Sequence, residues 1–354
     1  MMYHGDLWPA DRPLIIPIFI PHLGCPHQCV FCNQRTITGS HCPQVSPQHV
    51  RKEVDRYLRF KRHPPAYTQI SFFGGTFLGL GKPRVLSLLQ AAQSFVDGNV
   101  VDSIRFSTRP DTIRPEIMDL VGGFAVSTIE LGVQSMLDHV LDASGRGHRN
   151  RDTIEAAGYL KAKGYQVGMQ MMVGLPEDED DGAMETARRL AALKPDFVRI
   201  YPTLVLKGSP LASQHATGRY RPLSLKAAVD LVKRLLLYFK HKGIPVIRMG
   251  LQAGDGLSAG TDLIAGPYHP AFGHLVHAAI TLDAITDTIE KMTSHPDPLV
   301  ITTHARMISR VQGLKKNNLL QLKHRFGLKE IILSQDANLA PNRLTVAGKP
   351  VRLP

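Results

Sequence analysis

The stretch IIPIFIPHLGCPHQCVFC, residues 15–32, joins two signals that together decide the fold. Ile15–Ile20 is apolar at nearly every position, as a strand buried on both faces is, and Pro17 argues against a helix there. The run is too short to cross a bilayer. Directly after it, three of the chain's four cysteines fall within nine residues, as Cys25, Cys29 and Cys32. Their spacing is C-x3-C-x2-C. A buried strand that delivers a loop of reactive side chains is how α/β folds build sites, at the C-terminal ends of their strands.

Working outward, the same rhythm repeats. Apolar, β-rich runs recur at Gln69–Phe73, Ser103–Ser107, Thr128–Val133, Gln166–Val173 and Phe197–Tyr201. Helical patterns separate them at Ser46–Phe60, Pro83–Val96, Arg114–Val121, Arg151–Lys163 and Asp181–Leu193, and Ser224–Lys242 follows the sixth strand. The first opens with Ser-Pro and carries Val50, Val54 and Leu58 at four-residue spacing. Six β-α units in series imply a parallel sheet with right-handed crossovers. The predicted fold class is α/β: a partial (β/α)6 TIM-like barrel with a small basic α/β C-terminal appendage. The expected domains are 1–250 for the barrel, 251–290 for a Gly/Pro/His-rich connecting segment that packs on it, and 291–354 for the appendage. The appendage reads as strand Leu299–Thr303, helix Arg306–Phe326 broken near Gly313, and strands Glu330–Ser334 and Leu344–Val346.

At 354 residues, 43% hydrophobic and 20% charged, the composition is that of a globular chain with a sizeable core. No signal peptide and no membrane-length apolar segment is visible, so the expected setting is the cytoplasm, without a membrane partner. Thiols stay reduced there, and a clustered triplet then points to metal ligation or catalysis rather than a disulfide framework. The formal net charge is +12. Residues 291–354 hold eleven Lys and Arg against three Asp and Glu, so 11 − 3 = +8 lies in the tail. Such a balance favours a polyanionic partner such as nucleic acid, and a solvated basic surface is the plainer reading.

Thiolates bind zinc or iron–sulfur clusters. Structural zinc takes four ligands, and Cys42 or His41 offers a fourth. The compact C-x3-C-x2-C loop instead suits three thiolates around one face of a 4Fe-4S cluster, leaving one iron open to a ligand that is not protein.

With Phe31 before the last cysteine, the loop is C-x3-C-x-aromatic-C after the first strand of a β-α barrel. It resembles that of the radical S-adenosylmethionine (SAM) enzymes. The resemblance implies a 4Fe-4S cluster on Cys25, Cys29 and Cys32, whose open iron is chelated by the amino and carboxylate groups of SAM. Reduction by a donor such as ferredoxin or flavodoxin then yields a 5′-deoxyadenosyl radical that abstracts hydrogen from the substrate. Phe73-Gly74-Gly75-Thr76 is similar to the family's glycine motif, whose backbone binds the SAM amino group; the family more often has Glu where Thr76 stands. Further implied SAM contacts are Phe31 beside adenine, Arg109 at the end of the third strand, Glu130 in the fourth and Gln170 in the fifth. Arg109 also reads as a surface arginine, and Glu130 as half of a buried structural pair. Gln134 and Ser135 extend the polar edge. Gly174-Leu175-Pro176 is expected to approach adenine.

Five segments are more particular: FFGGTF (72–77), STRPD (107–111), ELGVQSM (130–136), SGRGH (144–148) and RIYPTLVLKGSPL (199–211). They resemble the radical SAM domain of the Elongator catalytic subunit, a tRNA wobble-uridine modifier, and its stand-alone bacterial relatives, over roughly residues 13–275. Oxygen-independent coproporphyrinogen oxidases are a more distant likeness. The chain stops at Pro354 without the glycine-rich acetyl-CoA loop of Elongator's acetyltransferase domain, so the carboxymethyl chemistry is not carried over. In the tail, Val311–Leu319 resembles the GxxG loop of KH domains, with Lys316 in place of the second glycine. Lys315 and Lys316 are therefore the candidate RNA contacts. The leading expectation is a radical SAM enzyme acting on tRNA or other RNA. The rivals are a radical SAM enzyme on a porphyrin-precursor-like small molecule and a zinc-containing RNA-binding protein without catalysis.

Overall fold

The computed structural model describes residues 13–20, 23–33, 45–59, 67–251, 260–294 and 296–353. Six strands alternate with helices as the apolar rhythm predicts. They are β1 (Leu14–Phe19), β2 (Thr68–Phe73), β3 (Ser103–Thr108), β4 (Val126–Gln134), β5 (Gln166–Val173) and β6 (Phe197–Pro202). After a two-residue strand, β7 (Val205–Leu206), a further strand β8 (Val246–Met249) joins the sheet as its seventh member. All pairings are parallel, in the order β1-β2-β3-β4-β5-β6-β8, giving a curled partial barrel of the TIM type. β8 escapes a reading of apolar runs because it is only four residues long, with Ile247 exposed. β1 lies at the sheet edge, the place where a strand tolerates Pro17.

Each strand presents two faces, and their contents differ. Ile70, Phe72, Ile104, Phe106, Ile129, Leu131, Val167, Met169, Met171, Val198 and Ile200 pack with the surrounding helices in one continuous core. The residues between them (Gln69, Ser103, Arg105, Thr128, Glu130, Gln170, Arg199 and Tyr201) therefore point to the concave side. At the N-terminal ends of the strands that side is closed by a hydrogen-bonded floor. Gln69 Nε2 donates to Ser103 Oγ at 2.9 Å and Ser127 Oγ at 3.0 Å, and the Tyr67 hydroxyl donates to Ser103 at 2.6 Å. Phe77 stacks between Phe72 and Phe106, with centroids 4.7 and 4.8 Å away, and fixes the turn that follows β2.

The helices close the convex side. Leu225–His241 starts on Ser224, whose hydroxyl accepts from the Ala227 N–H, and buries Leu231, Val232, Leu235, Leu236 and Phe239 on one stripe. β9 (Leu263–Ala265) pairs with β7. Part of the expected Gly/Pro/His-rich connecting segment over 251–290 is thus a strand, and residues 272–290 form a 19-residue helix. That helix belongs to two cores: Phe272, Val276 and Ile280 pack with the barrel, while Ile285 and Ile289 enter a second apolar cluster. The second cluster lies under a four-stranded sheet of β10 (Leu299–Thr303), β11 (Ile331–Gln335), β12 (Arg343–Val346) and β13 (Lys349–Arg352), in the order β11-β10-β12-β13. The helices Ile308–Gln312 and Asn317–Phe326 join β10 to β11, broken at Gly313. Buried Asn318 donates to the Ala278 carbonyl at 2.9 Å and so locks that corner to the shared helix. No described helix is long and apolar enough to cross a membrane.

Candidate functional site

The cysteine loop leaves β1 at the C-terminal rim and is held there by backbone. Leu23 O accepts from the Thr76 N–H at 3.0 Å. A Cβ on Gly75 would lie 2.3 Å from Leu23 O and 2.4 Å from Ile20 O, and one on Gly24 would lie 2.2 Å from Thr76 O. Only glycine permits this approach. The glycine pair is thus accounted for first by the chain's own backbone, with Gly74 at φ +103° turning the chain away from β2. Thr76, buried, places its hydroxyl 3.2 Å from Cys25 Sγ.

The far side of the loop is held by the SGRGH segment. Val30 N–H donates to Ser144 O at 3.0 Å, a Cβ on Gly145 would sit 3.3 Å from Gln28 O, and one on Gly147 would strike the His27 ring at 2.5 Å. Ser144–His148 is therefore packed on the cysteine loop. Arg146, 6% exposed, donates Nη1 to Cys29 Sγ at 3.2 Å and Nη2 to Gly132 O at 2.6 Å. Cys29 is 7% exposed, whereas Cys25 and Cys32 are half-buried. Phe31 lies between two apolar groups, one of Val140, Met172 and Leu175, the other of Val205, Leu211 and Tyr220.

The remaining candidates have most of their polar atoms already engaged by neighbouring side chains. Arg109 makes a two-pronged pair with Asp111, both hydrogen bonds 2.9 Å, and leaves its Nη1 buried without a hydrogen-bond partner. Burial pushes the Asp111 carboxyl up, but Arg109, His148 and Arg146 outweigh it and leave it below its ordinary value. Beside them His148 is pushed down to about 3, first by burial and then by Arg146 and Arg109, so it is a neutral imidazole. Glu130 accepts from Arg105 Nε on one oxygen and pairs with Arg199 Nε at 2.9 Å on the other. Arg105 covers the Phe197 ring and Arg199 the Phe73 ring. Gln170 donates to Gln134 Oε1 at 3.2 Å, and Gln134 adopts φ +70°. Cys42 and His41 lie outside the described residues.

Two groups here were not singled out by sequence reasoning. One is Arg105, hidden because a single arginine in a strand pattern reads as an edge position. The other is Asp178, past β5, which is held up to about 7 by burial and then by Asp180 and Glu179. Its Oδ1 is buried without a hydrogen-bond partner. A folded-state pKa above the unfolded one destabilises the fold progressively as pH rises from 3.8 to about 7. Asp178→Asn should therefore raise the stability of the protein by roughly 1–2 kcal/mol at about pH 8, and the gain should vanish by about pH 4. Urea unfolding at the two pH values checks this.

The donor set fits a cluster. Three free thiols share one loop at the rim, and cysteine thiolates are the ligands of iron–sulfur clusters. A cubane spreads its thiolates over different irons.

Comparisons with known proteins agree with this geometry. The Radical SAM superfamily model matches residues 19–190, and the Radical_SAM C-terminal domain model matches 195–281. An uncharacterized protein of Methanocaldococcus jannaschii is 30% identical over 231 residues, 61% of this chain and 69% of that protein. Elongator complex protein 3 of Danio rerio is 28% identical over 291 residues, 66% of this chain and 52% of that protein. The chain thus spans about half the length of that Elongator relative. The solved structure of the Elp3 protein of Methanocaldococcus infernus superposes with a TM-score of 0.58 at 19% identity, over 76% of this chain and 63% of that one, and shares the fold. The strand order, the rim-borne cysteine loop and these matches place the chain among enzymes: it belongs to the radical SAM superfamily and is related to the radical SAM region of Elongator complex protein 3.

Proposed function

We propose that this protein holds a 4Fe-4S cluster on Cys25, Cys29 and Cys32, and uses it to cleave S-adenosylmethionine reductively on behalf of an RNA substrate, most simply a tRNA. The observation that carries the reading is the seating of the three-cysteine loop against the Gly74-Gly75 turn at the open rim of the barrel. Bound there, cluster and SAM supply a 5′-deoxyadenosyl radical, methionine being released, once a cytoplasmic donor such as ferredoxin or flavodoxin has provided the electron.

The chain's own residues have defined tasks in this reading. The orphaned Nη1 of Arg109 offers a donor to the amino acid part of SAM. Phe31 and the apolar group around Met172 and Leu175 exclude water beside the base. Gln170 offers a polar edge. Glu130 acts at one remove, keeping Arg105 and Arg199 in place, because both of its oxygens are occupied by them. The decisive experiment is anaerobic reconstitution followed by reduction in the presence of SAM. Formation of 5′-deoxyadenosine supports the reading. Tightly bound zinc without iron or sulfide sinks it.

The RNA part rests on charge and on the likeness to Elongator. The tail carries the +8 excess, and Lys315 and Lys316 head the helix Asn317–Phe326 with exposed side chains and left-handed φ of 50° and 62°. Lys316 thereby adopts the left-handed backbone that the glycine of a GxxG loop is suited to. Changing both lysines to alanine should weaken tRNA binding and reduce the slope of log K against log salt by roughly 1–2. A salt titration of fluorescence anisotropy measures it, and an unchanged slope removes this loop from the interface.

A further inference from the structure

The SGRGH segment supplies a buried cation directed at the sulfur of a cluster-loop cysteine. Arg146 is 6% exposed, and among the described residues it forms no ion pair with Asp or Glu. Its hydrogen-bond partners are the Gly132 carbonyl, at 2.6 Å, and Cys29 Sγ, at 3.2 Å; its Nε has none. A guanidinium taken out of water needs a counter-charge. Asp111 is near enough to feel Arg146, but Arg109 claims both of its oxygens. Arg146 Nη1 is directed instead at the sulfur of Cys29, and a thiolate bound to a cluster carries a negative charge there. Gly145 and Gly147, both at positive φ, press the loop onto His27 and Gln28 and so aim Arg146 at this cysteine.

We infer that Arg146 is a positioning residue that raises the reduction potential of the cluster by donating a charged hydrogen bond to the sulfur of Cys29. This rests on the cluster placement proposed above. Reduction adds one negative charge to the cluster. A cationic donor on a ligand sulfur stabilises the more negative state more than the less negative one. Burial strengthens the effect, because water screens the pair poorly. The consequence is functional: a weaker physiological reductant suffices to load the electron. The sulfur of Cys25, by contrast, meets the neutral hydroxyl of Thr76.

The test uses the whole protein, reconstituted anaerobically, as wild type, Arg146→Lys and Arg146→Gln. The midpoint potential of the cluster is followed by electron paramagnetic resonance during a mediated titration. Arg146→Gln should shift the one-electron equilibrium at least tenfold towards the oxidised state, about 59 mV more negative. Arg146→Lys, which keeps the charge and loses the fork, should fall between the two. Equal potentials in clusters of equal iron content overturn the inference. If Arg146→Gln takes up no iron while its circular dichroism is that of wild type, Arg146→Lys alone decides by its potential. Failure of both variants to bind iron assigns Arg146 to assembly and overturns the tuning role. A wild-type protein that binds no iron refutes the cluster placement itself, a result separate from any of these.

Discussion

Cys29→Ala is expected to fold and to hold no intact cluster. Wild-type protein should carry about four irons per chain, with broad absorbance near 400 nm. The variant should lose both, and 5′-deoxyadenosine formation should fall below detection. The size of the effect follows from ligand number. Three thiolates are the minimum that leaves a single iron open, and taking away one leaves two irons without protein ligands. Cys29 is the most demanding of the three to replace. It is the only fully buried one, and its sulfur is the partner of Arg146. Removal therefore also leaves a buried guanidinium with a single carbonyl partner, so a stability loss of roughly 1–3 kcal/mol should accompany the loss of iron. Metal analysis, an absorbance spectrum and product chromatography read all three consequences. A Cys29→Ala protein that retained a four-iron cluster and cleaved SAM would remove Cys29 from the ligand set.

Glu130→Gln should cost the protein about 3–5 kcal/mol, because it strands two arginines inside the barrel. Glu130 is 3% exposed and, among the described residues, is the single carboxylate between Arg105 and Arg199. Its place is built in. Gly168, opposite it on β5, has no Cβ, and one there would strike the Phe197 ring at 2.2 Å and crowd Glu130 Cγ at 3.1 Å. Glutamine keeps the shape and removes the charge, so the loss measures electrostatics and not a cavity. Denaturant midpoints of the apo-protein give the number. The triple change Arg105→Met, Glu130→Leu, Arg199→Met should cost far less, since an apolar replacement strands no charge. A Glu130→Gln protein as stable as wild type would show that the two arginines find another anion.

The sequence by itself determined the architecture and the superfamily. Runs such as Ile15–Ile20 and Gln166–Val173, alternating with helical patterns, are sufficient to specify a parallel sheet, because burial on one side against helices is a local, periodic property. The three cysteines are legible for a similar reason: their spacing lies within one loop, and no distant residue is needed to recognise it. The limits of that legibility are equally physical. β8 and β13 are four residues long and bury at most one position each, which leaves no alternating apolar signal, and the helix 272–290 was masked by the Gly/Pro/His-rich run before it.

What only the tertiary structure decided are the pairings between distant residues. Arg105, Glu130 and Arg199 are separated by 25 and 69 positions and meet because β3, β4 and β6 curl around one concave side. Gly75 reads in the sequence as room for a ligand, yet the folded chain spends that room on its own Leu23 and Ile20 carbonyls. Arg146 lies 117 positions from Cys29. Its role depends on a distance and on the absence of any carboxylate partner among the described residues, and both are set by packing, which no local pattern encodes.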